Sequence, residues 1–292
     1  MTFATSAAPH AASFPAPLPS RLEAIGPPSP PIFVGGAGRS GTTLLRVMLD
    51  SHSRISCGPE LKVLPSVASL WVDLRTRWAN TLADSHVRDA DVDRAFGRLI
   101  ASLLEPQRQA TGKVRVAEKS PNNVFVFGHL HRMFPDAAFV HMVRDGRDVV
   151  ASLLSMDWTT TDGTPIAYTR DARLAARYWA SAVNAARAFA QSATDPVHFH
   201  EMRYEDLVTD PEDTLRALFA FLGEPWEPAV LAYHEVPHDL GHESSTPQAV
   251  QPITPTAAGR WQRELSAPDR QAVKEEIGDL LLELGYARDY AW

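Results

Sequence analysis

Apolar positions along the chain fall into runs that alternate between the spacing of buried strands and the spacing of amphipathic helices. Ile32 to Val34 is short, wholly apolar and followed by glycines, which predicts a buried strand. Thr42 to Ser51 resumes with Leu44, Leu45, Met48 and Leu49 on one side, which predicts a helix. Residues Glu60 to Asp84 and Asp89 to Leu104 carry helical periodicity, the second opened by Asp-rich capping chemistry, and predict a helical insert after the first strand and helix. Lys113 to Ala117 and Ala138 to Val143 predict strands, with helices from Val124 to Met133 and from Asp148. An amphipathic run from Arg170 to Ser192, an alternating strand from Val197 to Met202 and a closing helix from Pro268 to Leu284 complete the series. Strands that alternate with helices predict an α/β fold, a mostly parallel sheet with helices on both faces.

Two stretches lack a period. Residues 1–30 are dominated by Ala, Pro and Ser, a composition that buries too little surface to offset ordering, so they predict a flexible leader ahead of one domain, 31–292. His238 to Gly259 is rich in Pro, Ser and Thr, and a loop of that length inside a compact domain is functional or disordered. The 45% hydrophobic content supports a sizeable core, and the formal net charge of -7 supplies no overall basic field, so nucleic acid is not an expected partner. No apolar run approaches the roughly 20 residues of a membrane span. Cys57 is the only cysteine, which rules out an internal disulfide and a multi-cysteine metal site and fits a cytoplasmic location. His129 with His131 and His198 with His200 are spaced two apart, which on a strand puts both on one face, but a pair is a poor zinc site and no metal is expected.

The chemistry concentrates in PIFVGGAGRSGTTLL. Gly36 and Gly41 bracket four residues and two threonines follow, the spacing of a phosphate-binding loop with Thr42 where its lysine should stand. Glycines let backbone N–H groups curl around an anion, and the following helix points its positive end at the same place. Without the lysine, γ-phosphate chemistry loses its main cation. Arg39 offers a planar bidentate donor instead, suited to a phosphate bearing one further anionic group. A second anion site is predicted at VRDGRDVVASL, where Arg144 ends a strand and Ser152 lies about two turns into the next helix, at the sheet edge where ligands of open α/β folds bind. On residues alone, a nucleotide kinase or triphosphatase and a noncatalytic module that binds a phosphorylated nucleotide both stay open.

The pair GGAGRSGTTL and VRDGRDVVAS resembles the PAPS-dependent sulfotransferases, over a span from about Pro31 to Tyr286. RSGTTLLRVMLDSHSRISCGPE is similar to the tyrosylprotein sulfotransferases and their bacterial relatives. The resemblance implies PAPS as cosubstrate, PAP as product, no metal, and a hydroxyl acceptor on a peptide tyrosine, a glycan or lipid, or a small alcohol or phenol. It implies that Gly38, Arg39, Ser40, Gly41, Thr42 and Thr43 hold the 5' phosphate and sulfate, and that Arg144 and Ser152 hold the 3' phosphate. Tyr204 in RYEDLV and Arg260 in GRWQREL would stand near the nucleotide. Glu60 would be the general base, Lys119 in the loop AEKSPNN would stabilise the bridging oxygen, and Ser245 in ESSTPQ would reach the sulfate. Trp71, Trp78 and Trp158 are candidates for an apolar acceptor wall or for core. The chain departs from the animal enzymes at Ser66 and Gln251, where they carry basic residues, and neither their anchor nor their disulfides are expected in it. A homodimer is compatible with this reading.

Overall fold

Phe33 faces one side of its strand while Ile32 and Val34 face the other, and two separate cores follow from that alternation. The computed structural model describes residues 29–160, 162–192, 197–239, 246–253 and 258–292, so the predicted leader, apart from its last two residues, lies outside the described residues. Strand β1 (Ile32–Gly35) is central in a five-stranded sheet of order β2 (Ile55–Ser56), β3 (Arg115–Lys119), β1, β4 (Ala138–Val143), β5 (Phe199–Arg203). Every pairing is parallel, with Val34 opposite Lys119 on one side and Val140 on the other.

Parallel strands need crossovers, and helices supply them. Helix α1 (Thr42–Asp50) lies on one face with Ile32, Val34, Ala117 and Val140, together with α8 (Tyr204–Thr209) and α9 (Pro211–Leu222). The insert, α2 (Leu64–Arg75), α3 (Ala79–Asp84) and α4 (Asp89–Thr111), joins α5 (Phe127–Met133), α6 (Gly146–Leu154) and α7 (Ala172–Ser192) around Phe33 and Phe139. Short helices α10 (Thr246–Ala249) and α11 (Trp261–Glu264) precede α12 (Ala267–Glu283), which packs on α7. Phe139 is wholly buried, its ring 5.2 Å from Phe127 and 4.9 Å from Phe189. Truncating such a ring costs about 3–5 kcal/mol. Among the described residues no helix is long and apolar enough to cross a membrane.

Several boundaries differ from the sequence expectation for identifiable reasons. The run from Glu60 is helical only from Leu64, because Pro65 suits the first helical turn and leaves Glu60 in a loop. Strand β3 starts two residues late and reaches Lys119, since Lys113 turns aside to Asp50, 3.5 Å from its carboxylate. His129 and His131 sit on α5, where a spacing of two puts them on different sides. His129 stands edge-on to Trp71, and His131 packs against Phe139. Among the described residues no group of three or more His, Cys, Asp or Glu is placed to hold a metal. Helices α8 and α9 were not predicted, although Asp210 caps α9 by accepting the Asp213 N–H and Pro211 occupies its first turn.

The turn out of β1 tolerates no side chain at its first position. A Cβ on Gly36 would run into the Met142 carbonyl oxygen of β4, and the Gly36 N–H is committed to Pro121 O at 3.0 Å. Gly36→Ala should therefore destabilise the protein by about 1–3 kcal/mol, read as a lower urea midpoint with an unchanged slope. An unchanged midpoint would show that the sheet edge relaxes freely.

Candidate functional site

Because the strands are parallel, their carboxyl ends share one edge, and the residues just past those ends surround a cleft of about 1020 Å³. The loop after β1 forms its floor. Gly41 caps α1 at φ 93°, a left-handed conformation that favours glycine, and the Tyr204 ring fills the space a Cβ would need. No side chain caps α1 and no acidic residue stands in its first turn, so its positive end faces the cleft with Thr42 and Thr43. Arg39 is left-handed at φ 73°, and Lys62 across the cleft at φ 58°. Such backbone costs a non-glycine residue about 1–2 kcal/mol and persists where the surroundings enforce it, commonly at functional sites.

The two anion sites read separately from the sequence form one connected cluster. Arg39 Nε donates to Ser152 Oγ at 3.0 Å, and Arg144 donates to the Arg39 carbonyl oxygen at 3.1 Å. The Arg144 guanidinium also lies over the Tyr204 ring, 4.5 Å from its centroid. Arg260 lines the same cleft. Burial and then the charges of Arg144 and Arg260 pull the Arg39 guanidinium below its ordinary value.

At the other end of the loop, Lys119 closes β3 and is wholly buried rather than solvated. Its Nζ donates to Thr43 Oγ1 at 3.2 Å and to Glu60 Oε1, while Lys62 Nζ lies 3.2 Å from Glu60 Oε2. The Glu60 loop is tied down behind the cleft by Glu118, which accepts hydrogen bonds from Leu61 N at 3.1 Å, Ser120 Oγ at 2.7 Å and the Asn123 amide. Burial pushes the Glu118 carboxyl above the usual carboxylate range. Of these two glutamates Glu60 faces the cleft, which Asp157 and Glu264 also line, and Glu118 shapes it from behind.

Ser40 is buried below the loop and does not line the cleft; its N–H bonds Ala37 O at 3.1 Å. Ser245 lies outside the described residues. Of the three candidate tryptophans only Trp158 lines the cleft: Trp71 is core with its Nε1 on Asp93 at 2.8 Å, and Trp78 is exposed. Sequence reasoning missed Tyr178. Its hydroxyl accepts the Gly38 N–H at 3.0 Å and donates to Asn122 Oδ1 at 3.2 Å, while its ring stacks on Tyr168 at 4.4 Å. The only local signal was an aromatic on the inner face of the Arg170 to Ser192 run, 140 residues from its partner.

The sulfotransferase family profile matches residues 30–228. Protein-tyrosine sulfotransferase 1 of Danio rerio is 32% identical over 276 residues, covering 88% of this chain and 72% of that protein. Protein-tyrosine sulfotransferase 1 of Homo sapiens is 32% identical over 273 residues, covering 88% and 70%. The sulfotransferase domain from the curacin biosynthetic pathway superposes with a TM-score of 0.59 at 22% identity, covering 86% of this chain and 97% of that domain. The sulfotransferase domain of the Synechococcus PCC 7002 olefin synthase does so with a TM-score of 0.59 at 23% identity, covering 85% and 94%. Both are alike in fold.

Burial, partly offset by the Gly38 N–H, pushes the Tyr178 phenol up to about 12. Raised above its unfolded value, this group contributes stability that is complete below about pH 10 and is lost as pH rises towards 12. Tyr178→Phe should be less stable than the parent by about 1 kcal/mol at pH 8, from the unpaired Gly38 N–H, and the gap should close between about pH 10 and 12. A gap that widened over that interval would contradict the assignment.

Proposed function

As the chain belongs to the sulfotransferase family, we propose that Glu60 is the general base of its cleft, taking the proton from an acceptor hydroxyl as the sulfuryl group moves from PAPS. Transfer of a sulfuryl group from PAPS to a hydroxyl, with release of PAP, is the reaction of this family. The observation that carries the residue assignment is Lys119 Nζ, bonded at once to Thr43 of the phosphate loop and to Glu60. One buried cation joins the place where a phosphate would sit to the place where a hydroxyl would lose its proton.

The acceptor oxygen attacks the sulfur in line, its proton passes to Glu60, and the bond from sulfur to the bridging phosphate oxygen breaks. Negative charge grows on that oxygen. Lys119, Arg39 and the loop's Gly41, Thr42 and Thr43, at the positive end of α1, are the groups that would absorb it. Arg144, Ser152 and Arg260 would hold the 3' phosphate, with Tyr204 supporting Arg144 from below. Ser245 would reach the sulfate. This chemistry calls for no metal, because fixed guanidinium and ammonium charges fill the role that magnesium has in triphosphatases.

For the acceptor, a tyrosine hydroxyl on a peptide or protein is the reading best supported. The relatives above are named protein-tyrosine sulfotransferases. Trp158, Tyr168 and Tyr178 form an aromatic wall in the cleft that also holds Glu60, a surface suited to a flat ring. Ser66 is exposed and Gln251 stands on the cleft where the animal enzymes have basic residues, so acidic flanking residues should matter less to this chain.

Incubation with labelled PAPS and a tyrosine peptide should yield PAP and a sulfated product identifiable by mass spectrometry. Glu60→Gln should lower kcat by about 10²–10⁴-fold while PAP affinity stays within about twofold. Turnover of ATP without PAP formation, or an undiminished kcat in the variant, would sink the proposal.

A further inference from the structure

Asp148 is a carboxylate with 1% of its surface exposed, on the first turn of α6, and it does not line the cleft. A buried carboxylate requires partners, and its partners come from two distant stretches of chain. Oδ2 accepts the Gly259 N–H at 2.8 Å and Oδ1 accepts the Trp261 N–H at 3.0 Å. These amides belong to the residues on either side of Arg260. Oδ2 also lies 3.6 Å from the Arg144 guanidinium. One carboxylate therefore fixes the backbone on both sides of one cleft arginine and neutralises a second.

The neighbouring residue works in the same direction. Arg147 is bonded to Asp145 at 2.7 Å and its guanidinium lies 4.3 Å from the Trp261 ring centroid, so Trp261 is held through its ring as well as through its amide. The side chain between Gly259 and Trp261 is thus carried on a segment anchored at two points to α6. Without those anchors Arg260 would lie on a stretch bounded by a four-residue helix, α11, too short to order itself.

We propose that Asp148 is a positioning residue for the donor: without touching it, Asp148 sets Arg260 beside Arg39 and Arg144 and so completes the half of the site that reads the 3' phosphate. The proposal rests on the assignment of the cleft as a PAPS site. It separates the two acids of RDGRD, Asp145 as the N-cap of α6 and Asp148 as the link between α6 and the Gly259–Trp261 segment.

Calorimetric titration of the full chain with PAP and with adenosine 5'-phosphate, which lacks the 3' phosphate, tests it. The parent protein should prefer PAP. Asp148→Ala should lose about tenfold or more in PAP affinity while affinity for adenosine 5'-phosphate changes by less than about twofold, because one charge-assisted contact is worth about that factor. Asp148→Asn keeps the volume and one acceptor oxygen; it should fall between the two, and it carries the test alone if the alanine variant does not fold. A variant that keeps the parental preference, or that loses both ligands equally, overturns the positioning role. A parent protein with no preference for PAP overturns the donor-site assignment, and this proposal with it.

Discussion

Crowding of positive charge at one sheet edge is the constraint on which the rest of the structure depends. Arg39, Arg144 and Arg260 line one cleft, where burial first and then the charges of Arg144 and Arg260 depress the Arg39 guanidinium. Neighbouring groups hold that cluster in place. Ser152 accepts from Arg39, the Arg39 carbonyl and the Tyr204 ring receive Arg144, and Asp148 stands behind. A doubly phosphorylated nucleotide would replace that repulsion with attraction.

The parallel sheet makes this convergence possible. Each of β1, β3, β4 and β5 delivers a residue or loop of the cluster as it ends: the glycine loop, Lys119, Arg144 and Tyr204. Two buried cores, one on each face, fix the strand ends relative to each other. The buried Lys119 then ties the loop of one strand to the carboxylate that follows another, so the Gly36–Thr43 loop and Glu60 are held together. Stability and chemistry draw on the same contacts here.

Much of this was legible in the sequence because the relevant signals are local. The glycine loop, β4 and the long helix α7 follow from spacing and periodicity within a short window, and the sulfotransferase resemblance rested on two such windows. Contacts that close over long separations were not legible. Arg39 and Ser152 lie 113 residues apart, and the sequence assigned them to different phosphates rather than to each other. The two residues of β2 are too few to show a period, and the burial of Lys119 depends on strand register rather than on its neighbours in AEKSPNN. Tyr178 and Asp148 act on backbone N–H groups, which carry no residue-type signature.

A crystal structure of the chain with PAP bound tests the central claim most directly. The account predicts the 5' phosphate against the Gly36–Thr43 loop and the start of α1, within reach of Lys119, and the 3' phosphate against Arg144, Ser152 and Arg260. A nucleotide whose 3' phosphate pointed to solvent, or whose 5' phosphate lay away from the Gly36–Thr43 loop, would contradict it.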